Sequence, residues 1–245
     1  MQSIEQNRNR KESLLRVNQL KYEKLFPLAT VWICAGIVAL RAPNLLTYPR
    51  FWAEEGSFYF SFTYTHHFLQ SLLFVDWRAG YLNAIASISA GVAAHLSSLE
   101  SAPAVTLIAS FIVQIIPFTI IAYGRSKAFR GIAKKLVACG IFLFAPHVIG
   151  EVWLNTINSQ IYFDLIAILI LIEDLERASA LKRWAYRILL AFGGLSGVYV
   201  IFFAADLYRR SFFRTKQRAI LPDYHCYRSI VSSIDVFLDI GFCAQ

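Results

Sequence analysis

The sequence predicts an all-α fold: a polytopic transmembrane helical bundle of about 6 to 7 membrane helices with an acidic first external loop. Three observations carry this expectation. Apolar residues make up 57% of the 245 residues and charged ones only 16%, and mean hydropathy is +0.49, oilier than a water-soluble domain of this length. The apolar residues gather in segments near 25–40, 79–96, 103–123, 136–150, 157–172 and 188–205. These approach the roughly 17 to 25 residues that cross a bilayer core as a helix, the shorter ones being borderline. The basic residues behind the formal charge of +8 fall in short clusters between those segments rather than along one polar face. Clusters of that kind mark topology and contact the lipid bilayer, so no nucleic-acid partner is expected.

Residues 1–24 form a basic tail with six Lys or Arg against three Glu. The tail is long for the first region of a signal peptide, and further apolar segments follow. Segment 25–40 therefore reads as a retained anchor with a cytoplasmic N-terminus in a multi-pass protein of the inner (plasma) membrane. The transmembrane helical domain is expected over 25–205 and a polar, basic C-terminal tail over 206–245. With no soluble loop long enough to mark another boundary, one membrane domain is the simplest partition.

Segment 56–76, GSFYFSFTYTHHFLQSLLFVD, is the ambiguous one. It is aromatic and apolar enough for a membrane, yet His66, His67 and Gln70 are costly against lipid. Without it as a crossing, basic residues divide evenly between the two sides. With it, the basic loops around 124–135 and 173–187 join the N-terminal tail in the cytoplasm, as the positive-inside rule prefers. Seven crossings are therefore favoured over a long outer loop of interfacial helices.

In either topology the stretch RFWAEEGSFYF, 50–60, sets Glu54 and Glu55 among aromatics just outside the first helix. A second polar stretch, GEVWLNTINSQIYFDL, spans 150–165. If it is helical, Glu151, Asn155, Asn158 and Tyr162 share one face, and Gln160 and Asp164 share the opposite one. That many amides and acids at the start of a membrane helix require partners, water or a ligand. Seven crossings put this stripe on the same side as Glu54 and Glu55, and six put it on the other.

The form P-x-F-W-x-E-E-G from Pro49 to Gly56, then E-V-W-L-N-T-I-N-S-Q, an apolar helix and G-L-S-G at 194–197, resembles bacterial multi-pass proteins related to GT-C type glycosyltransferases. The resemblance covers roughly 25–200. It implies transfer of a sugar from a polyprenyl-phosphate carrier at the extracytoplasmic face. It also implies that the acidic pair of the first external loop, here Glu54 and Glu55, acts as catalytic base or holds a divalent cation such as Mg or Mn. Members normally continue with more helices. The change of composition after Asp206 therefore raises the expectation of a truncated or frame-disrupted member, whose last stretch is not family sequence.

Glycosyl transfer needs a carboxylate to deprotonate the acceptor and positive charge to offset the departing phosphate. Glu55 is expected as base, because Gly56 beside it permits close approach of substrate, with Glu54 in support. Arg50, Arg41 or Arg78 can meet the phosphate, and Trp52, Phe58 and Tyr59 can stack on sugars or simply form the interfacial belt. The candidate substrate-binding set is Arg50, Trp52, Glu151, Asn155, Asn158 and Gln160.

Cys34, Cys139, Cys226 and Cys243 have no paired spacing and read as buried, inert thiols. His66 and His67, being adjacent, cannot easily share a helical face as ligands. GGLSG at 193–197 reads as a close helix-packing surface rather than a phosphate loop. The competing class is a non-enzymatic transporter or flippase-like subunit for a lipid-linked sugar, in which Glu151, Asn155, Asn158 and Asp164 line a path.

Overall fold

The computed structural model describes residues 25–75, 82–144, 153–175 and 178–196. Every regular element among the described residues is a helix. In order the chain forms α1 (Leu25–Arg41), α2 (Pro43–Thr47), a π-helix (Glu55–Phe60) running into α3 (Ser61–Thr65), then α4 (Phe68–Leu72) and α5 (Ala84–Leu96). There follow α6 (Ala102–Tyr123), α7 (Ile132–Phe144), α8 (Ser159–Leu171) and α9 (Ala180–Gly194). Contacts divide the chain at Ala204/Ala205, and everything beyond that point lies outside the described residues, as do residues 1–24.

Local chemistry sets the boundaries. Asn83 caps α5 by accepting from the Ala86 N–H at 3.2 Å, and Ser179 caps α9 by accepting from the Lys182 N–H at 3.3 Å, each satisfying an N–H that the first helical turn leaves without a partner. Pro103 opens α6, where its missing N–H costs nothing. Only α6, with 22 residues, is long and apolar enough among the described helices to cross a membrane by length and composition. At 1.5 Å per residue it measures roughly 33 Å. Helices α1, α5 and α8 are apolar but shorter.

The main core joins α1, α6, α7, α8 and α9. Val38, Ile121 and Ile166 are fully enclosed there, with Phe118, Leu143, Phe163 and Ile170 around them. The outside of the same bundle is apolar as well. Ile108 and Ile112 on α6, Leu136, Val137 and Ile141 on α7, and Trp184 and Ile188 on α9 are all exposed. In water a belt of that kind would be an association surface.

Segment 56–76 does not form one continuous helix. The π-helix and α3 stop at His66, whose backbone is extended, and α4 begins after His67. The imidazole of His66 lies 2.9 Å from the Phe62 carbonyl oxygen and stacks on the Phe62 ring, while the His67 N–H donates to Gln70 Oε1 at 3.3 Å. Both histidines are exposed and serve the break between two short helices. No piece of this segment reaches the length of a span.

Helix α5 leans against these pieces and against α6. At its start Asn83 is bonded to the 156–157 backbone, and near its end Ala93 meets Phe60 and Ala102, the first residue of α6. The α5 pairing therefore stays close to the end of the bundle that carries the acidic loop.

The opposite end holds a polar knot. Glu173, after α8, accepts from the N–H groups of Arg125 at 2.7 Å and Ser126 at 3.2 Å and from Lys182 Nζ at 2.7 Å. Lys135 Nζ donates to the Ala122 and Gly124 carbonyls, satisfying acceptors at the C-terminus of α6.

Candidate functional site

The site is built where the loop after α2 meets the turn before α8. Ala53 takes a left-handed backbone conformation, φ 35°, which turns the chain sharply into Glu54 and Glu55. Glu55 closes the turn reciprocally: its N–H donates to the Trp52 carbonyl at 2.7 Å, and its Oε2 accepts from the Trp52 N–H at 3.0 Å. Its other oxygen accepts from the backbone N–H of Thr156 and from the Thr156 hydroxyl at 2.6 Å. One carboxylate therefore joins two segments 101 residues apart in sequence.

The partner segment is bent in the same manner. Leu154 is also left-handed, φ 55°, and it and Ala53 are the two non-glycine residues with positive φ among those described. Such backbone typically costs about 1 to 3 kcal/mol per residue and persists only where the surroundings hold it. Here they are the enclosed clamp of Glu55 and Thr156 and the Asn83 amide. Asn83 Nδ2 donates to the carbonyls of Thr156 and Ile157, and Oδ1 accepts from Ser159 Oγ and the Ala86 N–H.

Glu55 is only 2% exposed, and Glu54 beside it is exposed. Burial pushes the Glu55 carboxyl above the ordinary carboxylate range, against the hydrogen bonds from Thr156 and Trp52, which favour the ionised form. The pair thus divides into an enclosed carboxylate and an exposed one. A π-helix begins at Glu55, the kind of local irregularity that often accompanies functional sites.

A cleft of about 350 Å³ is lined by Arg50, Phe51, Trp52 and Ala53, the residues that precede Glu54 in the chain. The Arg50 guanidinium stands 5.6 Å from the Trp52 ring centre, so a cation and an aromatic face share this opening. Gly56 does not leave room for a ligand. A Cβ there would lie 3.0 Å from Phe51 Cβ, so the space is taken by Phe51, which also meets Phe60 with ring centres 4.5 Å apart.

Arg41, at the end of α1, donates to the Leu143 carbonyl near the end of α7 and lies 4.4 Å from the centre of the Trp153 ring. It anchors the floor of the site rather than lining the cleft.

The expected single helical stripe over 150–165 is corrected. Residues 153–158 form bends and turns, and α8 starts at Ser159, because Asn155 Oδ1 accepts from the Asn158 N–H and closes a turn before the helix. Asn155 is buried in that role, Asn158 and Gln160 are half-buried, and Glu151 lies outside the described residues, as does Arg78. Thr156 and Asn83, which do most of the joining, were not among the sequence candidates. The signals for them were an Asn directly before an apolar helix and a Thr inside an amide-rich turn.

Among the described residues no group of three or more His, Cys, Asp or Glu converges as a metal site. Both oxygens of Glu55 are occupied by protein donors, leaving Glu54 as the one open carboxylate of the pair. Cys34 and Cys139 are buried and carry no disulfide. Within GGLSG, Gly193 and Ser196 are buried, as a packing surface requires, whereas a Cβ added at Gly194 would meet nothing within 4 Å, and Gly197 lies outside the described residues. The chain matches no family model, no curated protein and no solved structure.

Proposed function

We propose that this chain is a multi-pass membrane protein that transfers a sugar from a polyprenyl-phosphate carrier at its extracytoplasmic face, with Glu54 as general base. The observation that carries the proposal is the clamp of Glu55 on Thr156, which encloses one carboxylate of the pair and leaves Glu54 exposed, next in sequence to a cleft lined by Arg50 and Trp52.

The membrane assignment is supported by the apolar outside of the bundle and by charge. Among the described residues Arg41 and Arg50 are the basic groups near this mouth, while the basic residues around 125–135 and 182–187 belong to the loop after α6, the first turn of α7 and α9, whose start meets Glu173 at the far end. On the positive-inside rule that far end is cytoplasmic. In this arrangement α1, α6, α7, α8 and α9 run between the two ends, α6 alone of the described helices having the length of a full span, and 42–75 and 82–101 stay on the outer side. The acidic loop and the 153–158 turn then share a side without a crossing by 56–76.

In the reaction the acceptor hydroxyl gives its proton to Glu54 as its oxygen bonds to the anomeric carbon. The polyprenyl phosphate leaves with the bonding electrons, and Arg50 offsets its charge. Trp52 offers a face for the sugar.

The test is transfer from a polyprenyl-phosphate sugar in membranes holding the chain at matched levels. Glu54→Gln is expected to lower the rate by about 10²- to 10⁴-fold without altering the melting temperature. Undiminished transfer in Glu54→Gln rejects the base. A conduit is the second possibility, favoured by one observation: Asp164 on α8 has a buried oxygen, Oδ1, with no partner among the described residues. A protein that moves a lipid-linked sugar but loses that movement in Asp164→Asn, and not in Glu54→Gln, is a conduit.

A further inference from the structure

We infer that the loop between α6 and α7 forms a binding site for the phosphate head group of an anionic phospholipid, with an acyl chain lying along the exposed face of α7. A cavity of about 370 Å³ opens in this loop, lined by Arg125, Ser126, Lys127, Arg130, Lys135 and Asp174. Four cations face one carboxylate. The neighbouring Glu173 accepts from the backbone N–H groups of Arg125 and Ser126 and pairs with Lys182 Nζ, so the cavity and its rim together hold five cations against two carboxylates. Lys135 Nζ is fixed at the cavity wall by the carbonyls of Ala122 and Gly124. Arg125, Lys127 and Arg130 are exposed, and guanidinium groups suit phosphate oxygens through paired N–H donors.

The surface next to the cavity points to a lipid rather than a free ion. Along α7, Ile132, Leu136, Val137, Ile141 and Phe144 are exposed, leading away from the loop. Gly140 falls within this face, and an added Cβ there would meet nothing within 4 Å, so the strip carries an open notch. A cationic cavity continued by an apolar furrow matches a molecule with an anionic head and a hydrocarbon tail. The site requires the bundle to lie in a membrane and is independent of sugar transfer.

The experiment uses the full chain in detergent micelles, with melting temperature and native mass spectrometry as readouts. The probes are phosphatidylglycerol, phosphatidylcholine with the same chains, and inorganic phosphate. Phosphatidylglycerol is expected to be retained and to raise the melting temperature saturably, phosphatidylcholine and phosphate to do neither. Arg125→Gln combined with Arg130→Gln is expected to weaken phosphatidylglycerol by about tenfold or more. Gly140→Leu, which fills the notch, is expected to weaken it without removing any charge. Equal retention of both lipids, or unchanged affinity in the double arginine variant, overturns the site. Phosphate that reproduces the stabilisation and displaces phosphatidylglycerol replaces the lipid by a free anion and overturns the assignment of an acyl chain. None of these outcomes depends on transfer activity, so failure here and failure of the transferase proposal are separable.

Discussion

The carboxylate of Glu55 receives both the backbone N–H and the side-chain hydroxyl of Thr156, and through them the loop after α2 is tied to the start of α8. This contact encloses Glu55 and leaves Glu54 to meet solvent.

Glu55→Gln is expected to destabilise the chain by about 1 to 3 kcal/mol, since the amide NH₂ must face one of the donors that the carboxylate now accepts. Thr156→Val removes the hydroxyl and keeps the backbone bond, and is expected to cost about as much as one hydrogen bond to a charged group, 1.5 to 3 kcal/mol. In a double-mutant cycle of melting curves the two losses should not add. Full additivity would show that the contact carries no coupling energy.

The pH dependence follows from desolvation of Glu55. Its folded-state pKa lies above the ordinary 4.5, so in the window between the two values the folded chain binds more protons than the unfolded chain. The stabilising contribution is fully present below the ordinary value and is lost as pH rises through the raised one. Melting temperatures across the acid range in detergent should fall with rising pH through that window, and Glu55→Gln should flatten the slope. A slope unchanged in the variant would assign it to another group.

Ala53→Gly is expected to be neutral or to stabilise by up to about 1 kcal/mol, because glycine relieves the left-handed backbone. The same exchange at Ala133, exposed in α7, should cost about 1 kcal/mol, the ordinary helix penalty. Equal losses at both positions would contradict the strained turn at Ala53.

Gly124→Ala tests the far end. A Cβ at Gly124 would lie 2.4 Å from the Ile120 oxygen and 2.8 Å from Glu173 Oε2, so the backbone or the carboxylate must shift. A loss of about 1 to 3 kcal/mol is expected, with weakening of the contact between Glu173 and Lys182. A variant that melts like the parent would mean that the knot at Glu173 yields without cost.

Topology is open to cysteine labelling. Ser57→Cys and Leu73→Cys should both react with an impermeant reagent from outside, and Ala128→Cys only after the membrane is opened. All three positions are exposed, whereas Ser126 and Ser159 are buried and unsuitable as probes. Protection of Leu73→Cys alongside labelling of Ser57→Cys would restore a crossing by 56–76.

The sequence by itself determined the helical class, the apolar segments and the acidic pair beside the first of them, because helix length, hydropathy and charge clustering are properties of consecutive residues. It also marked the 150–165 stretch as polar beyond what lipid tolerates. It did not decide how that stretch folds: uniform helical spacing pointed to one stripe, whereas the Asn155 side chain closes a turn and delays α8 to Ser159. Nor did it separate Glu54 from Glu55, which are equivalent until one is enclosed. That separation comes from Thr156 and Asn83, distant in sequence, and from the turn at Ala53. Two adjacent carboxylates differ here because one hydrogen-bond network has room for only one of them, and only tertiary contact could choose which.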